Sequence, residues 1–135
     1  MNNNAELIEQ LRLMTEKAYR SIKAAYRNID EGDYDFASSR AYYAVLYAME
    51  AVLLTKNRTF SKHAGVISAF NRDFVKSGIF PKDFSKSIAR LFREREMGDY
   101  DFTLNISEED AREDAGIAEK IVGSIEKYLE KEGFK

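Results

Sequence analysis

An all-α fold, an up-and-down bundle of about five helices in one domain covering residues 1–135, is predicted by three features of the sequence. Apolar residues recur every three or four positions along most of the chain, which is the spacing of one face of an α-helix. The single proline and seven glycines provide few of the turn residues that an all-β fold requires. A chain of 135 residues also has the length of one domain rather than two.

The first two helices are expected to be long and to follow each other closely. The first is predicted from about Asn4, a good N-cap residue, to Gly32, a C-terminal stop. The second has Asp33 or Asp35 as its N-cap and ends near Lys56. Its stretch RAYYAVLYAMEAVLL contains only two charged residues and is apolar on every side. This pattern is typical of a central helix that is surrounded by others.

Three further helices are expected to complete the bundle, which then contains four long helices and a shorter one. Their predicted N-caps are Ser61, Asp83 and Ser107, and the last of these begins a capping box. The third helix is expected to extend to Ser77 and the last to about Glu132. Short connections between helices favour antiparallel neighbours. The inward faces of the third and fourth helices are predicted to be formed by Val66, Ile67, Phe70, Phe74, Phe84, Ile88, Leu91 and Phe92.

A five-residue string, GDYDF, occurs twice, at positions 32–36 and 98–102. The residues around the two copies do not match, so an array of repeats is not supported. We interpret the string as a local device in which a glycine ends one helix, an aspartate caps the next, and two aromatic residues anchor the turn. A structural role is therefore expected for the first copy.

The residue inventory excludes several kinds of site. The chain has no cysteine, so disulfides, thiolate metal sites and a cysteine nucleophile are excluded. One histidine is too few for a histidine-based metal centre, and we expect neither a metal nor another cofactor. No phosphate-cradling glycine loop or serine nucleophile elbow is present. Because the sequence lacks a signal-peptide pattern and an apolar run of roughly 18 residues, a cytoplasmic protein without a membrane partner is expected.

Charge is distributed unevenly along the chain. Residues 56–95 contain 10 Lys or Arg and 3 Asp or Glu, whereas residues 96–135 contain 5 basic and 12 acidic residues. Two interpretations remain open. The basic segment can present a cationic face to an anionic partner, or it can pair with the acidic segment of its own chain.

Arg95 is the most informative charged residue, because it lies on the same helical line as Phe84, Ile88 and Leu91. A charge within an apolar stripe requires a partner, and Asp99 is one turn further along if the helix continues. The pair can be a structural ion pair. Alternatively, Arg95 is held in a cleft beside Tyr100 and binds a phosphate or a nucleotide. A basic ridge next to it is predicted from Lys86, Arg90 and Arg93.

The second helix contributes further candidates. Arg40, Tyr43 and Tyr47 lie on one side of it, so these tyrosines either belong to a core with satisfied hydroxyls or form the wall of a cleft that faces Arg95. His63, in the string RTFSKH, lies near the start of the third helix. We expect it to be a surface residue, since no motif places a serine or an acid beside it.

Three strings, ASSRAYYAVLYAMEAVL, SKHAGVISAF and REREMGDYDF, resemble those of the HEPN domain family of small prokaryotic helical bundles. The resemblance extends from about Glu6 to Tyr128. It implies a homodimer whose fourth-helix region carries an Arg-x(4 to 6)-His motif and faces its copy across a cleft, where toxin members cut RNA. It also implies a minimal nucleotidyltransferase as partner or antitoxin.

The motif departs from the family pattern in this sequence. Arg93 or Arg95 would be the motif arginine, but Asp99 and Tyr100 stand where the family has a histidine. This departure argues against the usual ribonuclease activity, because the imidazole that transfers protons or contacts phosphate is missing. Tyr100 is instead a candidate acceptor of adenylyl transfer by a nucleotidyltransferase partner.

Three functions follow as alternatives. In the first, the chain partners a minimal nucleotidyltransferase in a toxin-antitoxin-like system and binds nucleotide or RNA phosphate through Arg40, Tyr43, Arg90, Arg93 and Arg95. In the second, it is a metal-independent ribonuclease toxin whose catalytic residues are Arg95, which stabilises the phosphate, and Asp99 and Tyr100, with His63 as a further alternative for handling protons. In the third, it is a helical protein–protein interaction module whose basic segment only meets an acidic protein surface.

Overall fold

Five α-helices form the part of the protein that the computed structural model describes, residues 3–102 and 106–135. They are α1 (Asn3–Asp30), α2 (Tyr34–Leu54), α3 (His63–Phe70), which continues into a π-helical turn at Asn71–Val75, α4 (Asp83–Tyr100) and α5 (Glu108–Lys131). These residues contain no strand. The all-α prediction is therefore confirmed. None of the described helices has the length and apolar character that crossing a membrane requires.

The centre of the bundle is α2, which packs against α1, α3, α4 and α5. Thirteen of its residues are buried, as expected for a helix without a polar face. It ends at Leu54, two residues before the predicted end. Asn57 adopts a left-handed backbone conformation with φ of 58°, and the amide of Arg58 then donates back to the carbonyl oxygen of Leu53 at 3.2 Å.

Aromatic residues from α3, the π-helical turn, the loop after it and α4 form a continuous stack in the core. The ring of Phe70 lies 5.7 Å from that of Phe74 and 5.6 Å from that of Phe80, and Phe84 stacks on Phe80 at 5.8 Å. Tyr128 of α5 closes the stack with its edge against Phe74. Together these rings connect the short α3 to both of its longer neighbours.

The start of α3 differs from the prediction. Its N-cap is Lys62, with φ and ψ of −125° and 143°, and not Ser61. The backbone is still extended at Lys62, so the serine lies one residue too early to cap the helix. The helical path ends at Val75, where Gly78, with φ of 91°, reverses the chain just beyond the predicted end at Ser77.

The starts of α1 and α4 also differ from the predictions. Asn4 is the second residue of α1 and not its N-cap, since Asn3 is already helical. Asp83 is the first residue of α4 and not its N-cap, which is Lys82. Pro81 causes this shift, since it initiates a turn in which the amide of Phe84 already donates to the Pro81 carbonyl at 3.1 Å.

The N-cap of α5 is as predicted, because the hydroxyl of Ser107 accepts a hydrogen bond from the amide of Asp110 at 3.0 Å. Replacing Ser107 with alanine is expected to lower the free energy of unfolding by about 1 kcal/mol, since this amide would lose its acceptor. Urea denaturation followed by circular dichroism measures the change. Ser107→Asp, which retains an acceptor, should keep most of the stability, and an equal loss in both variants would contradict the capping role.

The two GDYDF strings lie against each other, but they have different local structures. Gly32 ends α1 with φ of 83°, and Asp33 is the N-cap residue of α2, although its side chain makes no capping bond to any described residue. Gly98, in contrast, lies inside α4, so the interpretation as a helix stop is wrong for the second copy. A Cβ at Gly98 would lie 3.3 Å from the carbonyl oxygen of Asp35. The second glycine therefore permits the close approach of α4 to the start of α2.

Candidate functional site

Arg95 of α4 is buried at the side of α2, with 8% of its surface exposed. Its Nη2 donates to the hydroxyl of Tyr43 at 3.1 Å, and its Nη1 donates to Glu96 at 2.9 Å. Asp99 lies 3.5 Å from Nε, as the spacing of one helical turn predicted. Among the described residues, Nε itself has no hydrogen-bond partner. The carboxylates of Glu96 and Asp99 are themselves only partly buried, so the guanidinium is not enclosed in a closed ion-pair network.

Two consecutive tyrosines of α2 support this arginine. The guanidinium carbon of Arg95 lies 5.1 Å from the centre of the Tyr42 ring and 5.5 Å from that of Tyr43, within the range of cation–π attraction. Burial opposes the charge of Arg95, but the bond to Tyr43 and the nearby carboxylate of Asp99 outweigh it and raise its pKa. Arg95 therefore stays a cation inside the fold.

A row of cations and aromatic rings extends from Arg95 along α2 towards α1. Arg40 lies over the ring of Tyr43 at 5.0 Å, and the ring of Tyr47 follows 6.1 Å from that of Tyr43. Lys17 of α1 lies over the ring of Tyr47 at 4.8 Å. We call Lys17, Arg40, Tyr43, Tyr47 and Arg95 the aromatic–basic surface. Cations alternating with half-buried rings are the chemical groups that bind phosphates and stack on bases.

The structure thus brings together three of the five residues that were predicted to bind phosphate, namely Arg40, Tyr43 and Arg95. Tyr43 faces Arg95 and its hydroxyl accepts a hydrogen bond from it, which agrees with both interpretations of the tyrosines of α2. Tyr42 is more deeply buried, with 1% of its surface exposed. Burial raises the pKa of Tyr42 to about 12, so its hydroxyl is neutral and can donate a hydrogen bond.

His63 is not the isolated surface residue that the sequence suggested. Its Nδ1 lies 3.2 Å from the hydroxyl of Tyr42, and its ring meets the Tyr43 ring edge-on at 5.8 Å. The side chain is half-buried. The prediction was wrong because the partner of His63 lies 21 residues away on another helix, and no sequence spacing connects them. His63 and Arg95 consequently lie against the same two tyrosines.

Glu50 of α2 is the acidic neighbour of this cluster. It interacts electrostatically with His63 and Lys17, which lower its pKa, but burial is the larger effect and raises the pKa overall. Glu50 also lines a small pocket of about 110 Å³ with Arg58 and apolar side chains. The histidine therefore contacts a tyrosine hydroxyl and interacts electrostatically with a partly buried carboxylate.

Arg90 is engaged elsewhere. Its Nε donates to the fully buried carboxylate of Asp114 on α5 at 2.8 Å, and Glu113 and Glu94 lie 3.2 and 3.7 Å from its guanidinium. Asp114 also accepts a hydrogen bond from Ser38 at 2.7 Å. This network joins α4, α5 and α2. Through Arg90, the basic segment of residues 56–95 pairs with the acidic segment of residues 96–135.

The predicted basic ridge of Lys86, Arg90 and Arg93 is therefore not continuous, because Arg90 turns towards α5. Lys86 and Arg93 are exposed. At the end of α4, Asp99 stays beside Arg95, whereas the side chain of Tyr100 is 70% exposed. Within residues 3–102 and 106–135, no three His, Cys, Asp or Glu residues are grouped so that they could hold a metal ion.

Known proteins resemble this chain over most of its length. The model of the HEPN domain matches residues 11–128. A UPF0332 protein of Thermotoga maritima is 36% identical over 130 residues, which is 96% of each chain. Two proteins of Methanocaldococcus jannaschii are both named "putative toxin". One is 34% identical over 93% of each chain, and the other is 35% identical over 76% of this chain and 69% of its own.

A solved structure shares the fold. The crystal structure of TT1696 from Thermus thermophilus superposes with a TM-score of 0.74 and covers 87% of this chain and 97% of its own. The two sequences are 19% identical, a level at which the similarity demonstrates the same helical architecture and no more.

Proposed function

The chain belongs to the HEPN domain family, and from this premise we propose that it binds the phosphate of RNA or of a nucleotide at Arg95 as part of a toxin-antitoxin-like system. The names of the two Methanocaldococcus jannaschii relatives support the kind of system. In this proposal the protein acts as a homodimer and as the partner of a minimal nucleotidyltransferase.

One observation carries the binding site: a guanidinium that is held by two tyrosine rings and continues into the aromatic–basic surface. The rings and the Tyr43 hydroxyl fix the orientation of Arg95, so little side-chain entropy remains to be lost when a phosphate binds. The rings of Tyr43 and Tyr47 hold Arg40 and Lys17 in place, and these two cations offer charges to neighbouring phosphates.

Glu96 is the group with which a phosphate has to compete. It is half-exposed and forms an ion pair with Nη1 of Arg95 at 2.9 Å. Because the Glu96 side chain is half-exposed, it regains contact with water when an incoming phosphate displaces it, which limits the cost of the exchange. Asp99 stays further away, at 3.5 Å.

We expect Arg95→Ala to weaken the binding of a short single-stranded RNA about 10- to 100-fold, the effect of losing charge-assisted hydrogen bonds to phosphate. Glu96→Gln should strengthen binding, because the competing charge is removed. Fluorescence anisotropy at low ionic strength measures both. Arg12→Ala is the control for lost positive charge, since Arg12 is exposed and paired with Glu9 and Glu16 on α1.

The same titration at several salt concentrations distinguishes phosphate binding at Arg95 from non-specific electrostatic attraction of RNA to the protein. The logarithm of the binding constant falls linearly with the logarithm of the salt concentration, and each lost phosphate contact makes this slope shallower. Arg95→Ala should therefore show a shallower slope than the wild type. Equal affinities of the wild type and Arg95→Ala, at every salt concentration, would exclude the proposed site and favour the protein–protein interaction module.

The partner is tested separately. Affinity purification of the tagged chain from its native cell should recover a nucleotidyltransferase, and light scattering should give the mass of a dimer. A stable monomer that purifies without this enzyme would contradict the proposed complex. Incubation of the complex with ATP would then show whether the exposed Tyr100 gains an adenylyl group, by mass spectrometry of its peptide.

A second candidate function is metal-independent ribonuclease activity, which the proximity of Asp99 to Arg95 favours. Here Arg95 stabilises the charge that develops on the phosphate, and Asp99 or Tyr100 accepts a proton. Cleavage of RNA in the presence of a metal chelator, lost in Arg95→Ala and reduced in Asp99→Asn, is the expected result. A folded dimer that binds RNA without cleaving it would exclude this function.

A further inference from the structure

We propose that His63 belongs to the same phosphate-binding site as Arg95, where its imidazole contacts the phosphate that the guanidinium binds. The inference rests on the proposed function and names a residue outside the fourth-helix motif. The phosphate can be that of an RNA or of a mononucleotide, since both present the same anionic oxygens to a histidine and an arginine.

The contacts of Tyr42 connect the two residues. The Arg95 guanidinium lies 5.1 Å from the centre of this ring, and the imidazole of His63 lies 5.9 Å from it. Both residues also contact Tyr43: the Arg95 guanidinium lies 5.5 Å from the centre of this ring, and the imidazole of His63 lies 5.8 Å from it. A cation and an imidazole that pack on one pair of rings lie close enough for a single nucleotide to reach both.

The hydroxyl of Tyr42 determines how the imidazole is oriented. It lies 3.2 Å from Nδ1, so this nitrogen faces the hydroxyl, and the tautomer of the ring decides which of the two groups donates. In the tautomer in which the hydroxyl donates the hydrogen bond, Nε2 carries the hydrogen of the neutral imidazole and is available as a donor to a phosphate oxygen. A hydrogen bond of this kind from a neighbouring residue fixes which nitrogen faces a ligand.

The surroundings of His63 are of mixed charge. It is the first residue of α3, where the partial positive charge of the helix favours an anion, and its N-cap Lys62 supplies no capping side-chain bond among the residues described. Arg95 adds a full positive charge behind Tyr42. Glu50 opposes them, and Lys17 partly neutralises Glu50.

A purely structural role for His63 would be to accept the hydrogen bond of the buried Tyr42 hydroxyl. That role requires only Nδ1 and no response of the ring to a ligand. His63 is only half-buried, whereas an acceptor for a buried hydroxyl needs no exposure to solvent. The two roles are distinguished by observing the ring itself while phosphate is added.

Because His63 is the only histidine, its ring nitrogens give one set of signals in a protein labelled with ¹⁵N-histidine. We would titrate the full chain at constant pH with inorganic phosphate, adenosine monophosphate and a short oligouridine RNA. The expected result is a saturable shift of the ring signals by at least one of these probes, absent in Arg95→Ala. A response to mononucleotide and not to RNA, or the reverse, identifies the source of the phosphate.

Affinity measurements on variants complete the test. His63→Ala should weaken the binding of the same probe about tenfold, which corresponds to the loss of one hydrogen bond to a charged group. Tyr42→Phe, which keeps the imidazole but removes its orienting bond, should cause a smaller loss. Circular dichroism verifies that both variants are folded. The NMR titration of the unmutated chain tests the inference independently of these two variants.

The outcomes separate the two proposals. If RNA binds in an Arg95-dependent manner while the His63 signals stay unchanged, the inference about His63 is wrong and the proposed function stands. Ring shifts that persist in Arg95→Ala would mean that His63 does not share the site of Arg95, and they would also overturn the inference. If no probe binds at all, both proposals fail.

Discussion

Replacement of Asp114 by alanine is expected to lower the free energy of unfolding by about 3–5 kcal/mol. Its carboxylate is fully buried and is shared by Arg90 of α4 and Ser38 of α2, at 2.8 and 2.7 Å. Burial raises the pKa of Asp114, although the hydrogen bonds from Arg90 and Ser38 lower it. Without this carboxylate, the buried Ser38 hydroxyl loses its acceptor, and the guanidinium of Arg90 loses its shortest and most buried partner while it keeps its contacts to Glu113 and Glu94, at 3.2 and 3.7 Å.

The loss should be measured by equilibrium urea denaturation, with the ellipticity of the helices as the signal. Glu113→Ala is a suitable control, since Glu113 belongs to the same network on the same helix but is exposed. Its loss should stay below about 1 kcal/mol. Similar values for the two variants would show that burial of Asp114 does not determine the strength of this network.

Replacement of Phe74 by alanine is expected to cost about 3–5 kcal/mol of stability as well. Phe74 is completely buried and touches the rings of Phe70, Phe80 and Tyr128, all at 5.7 to 6.1 Å. The alanine would leave a cavity where α3, α4 and α5 meet. Since these rings help to hold the end of α3 in the core, we also expect faster amide exchange in that helix.

The matched control is Phe36→Ala, which removes a phenyl ring that is 58% exposed at the start of α2. Its unfolding free energy should change by less than about 1 kcal/mol. Thermal or urea unfolding of the two variants measures the difference. If Phe74→Ala were no more destabilised than Phe36→Ala, the aromatic stack would not stabilise the core as the structure indicates.

Much of the architecture could be predicted because it depends on local patterns. The central position of α2 follows from its lack of a polar face, and the start of α5 follows from Ser107 and Asp110. Errors at the starts of α3 and α4 were of one residue, where a lysine occupies the cap position. Those caps depend on the exact backbone path of the preceding loop, which single residues do not determine.

The candidate site could be predicted only in part. Arg95 was recognisable since an arginine within an apolar helical stripe is a local feature, and its pairing with Asp99 follows from the period of the helix. The roles of Arg90 and His63 were not recognisable. Arg90 pairs with Asp114 24 residues away, and His63 with Tyr42 21 residues away, so both depend on how separate helices pack.

The sequence by itself determined the helical class, the central helix and the unusual position of Arg95, because helical periodicity and capping act between residues at most four positions apart. It also carried the family resemblance, which depends on three short strings of residues. Only the tertiary structure decided which cations remain near the candidate site. It turned Arg90 towards the acidic helix α5 and placed His63 beside the tyrosines that hold Arg95. Contacts between helices depend on their packing angles and depths, and these are properties of the whole core.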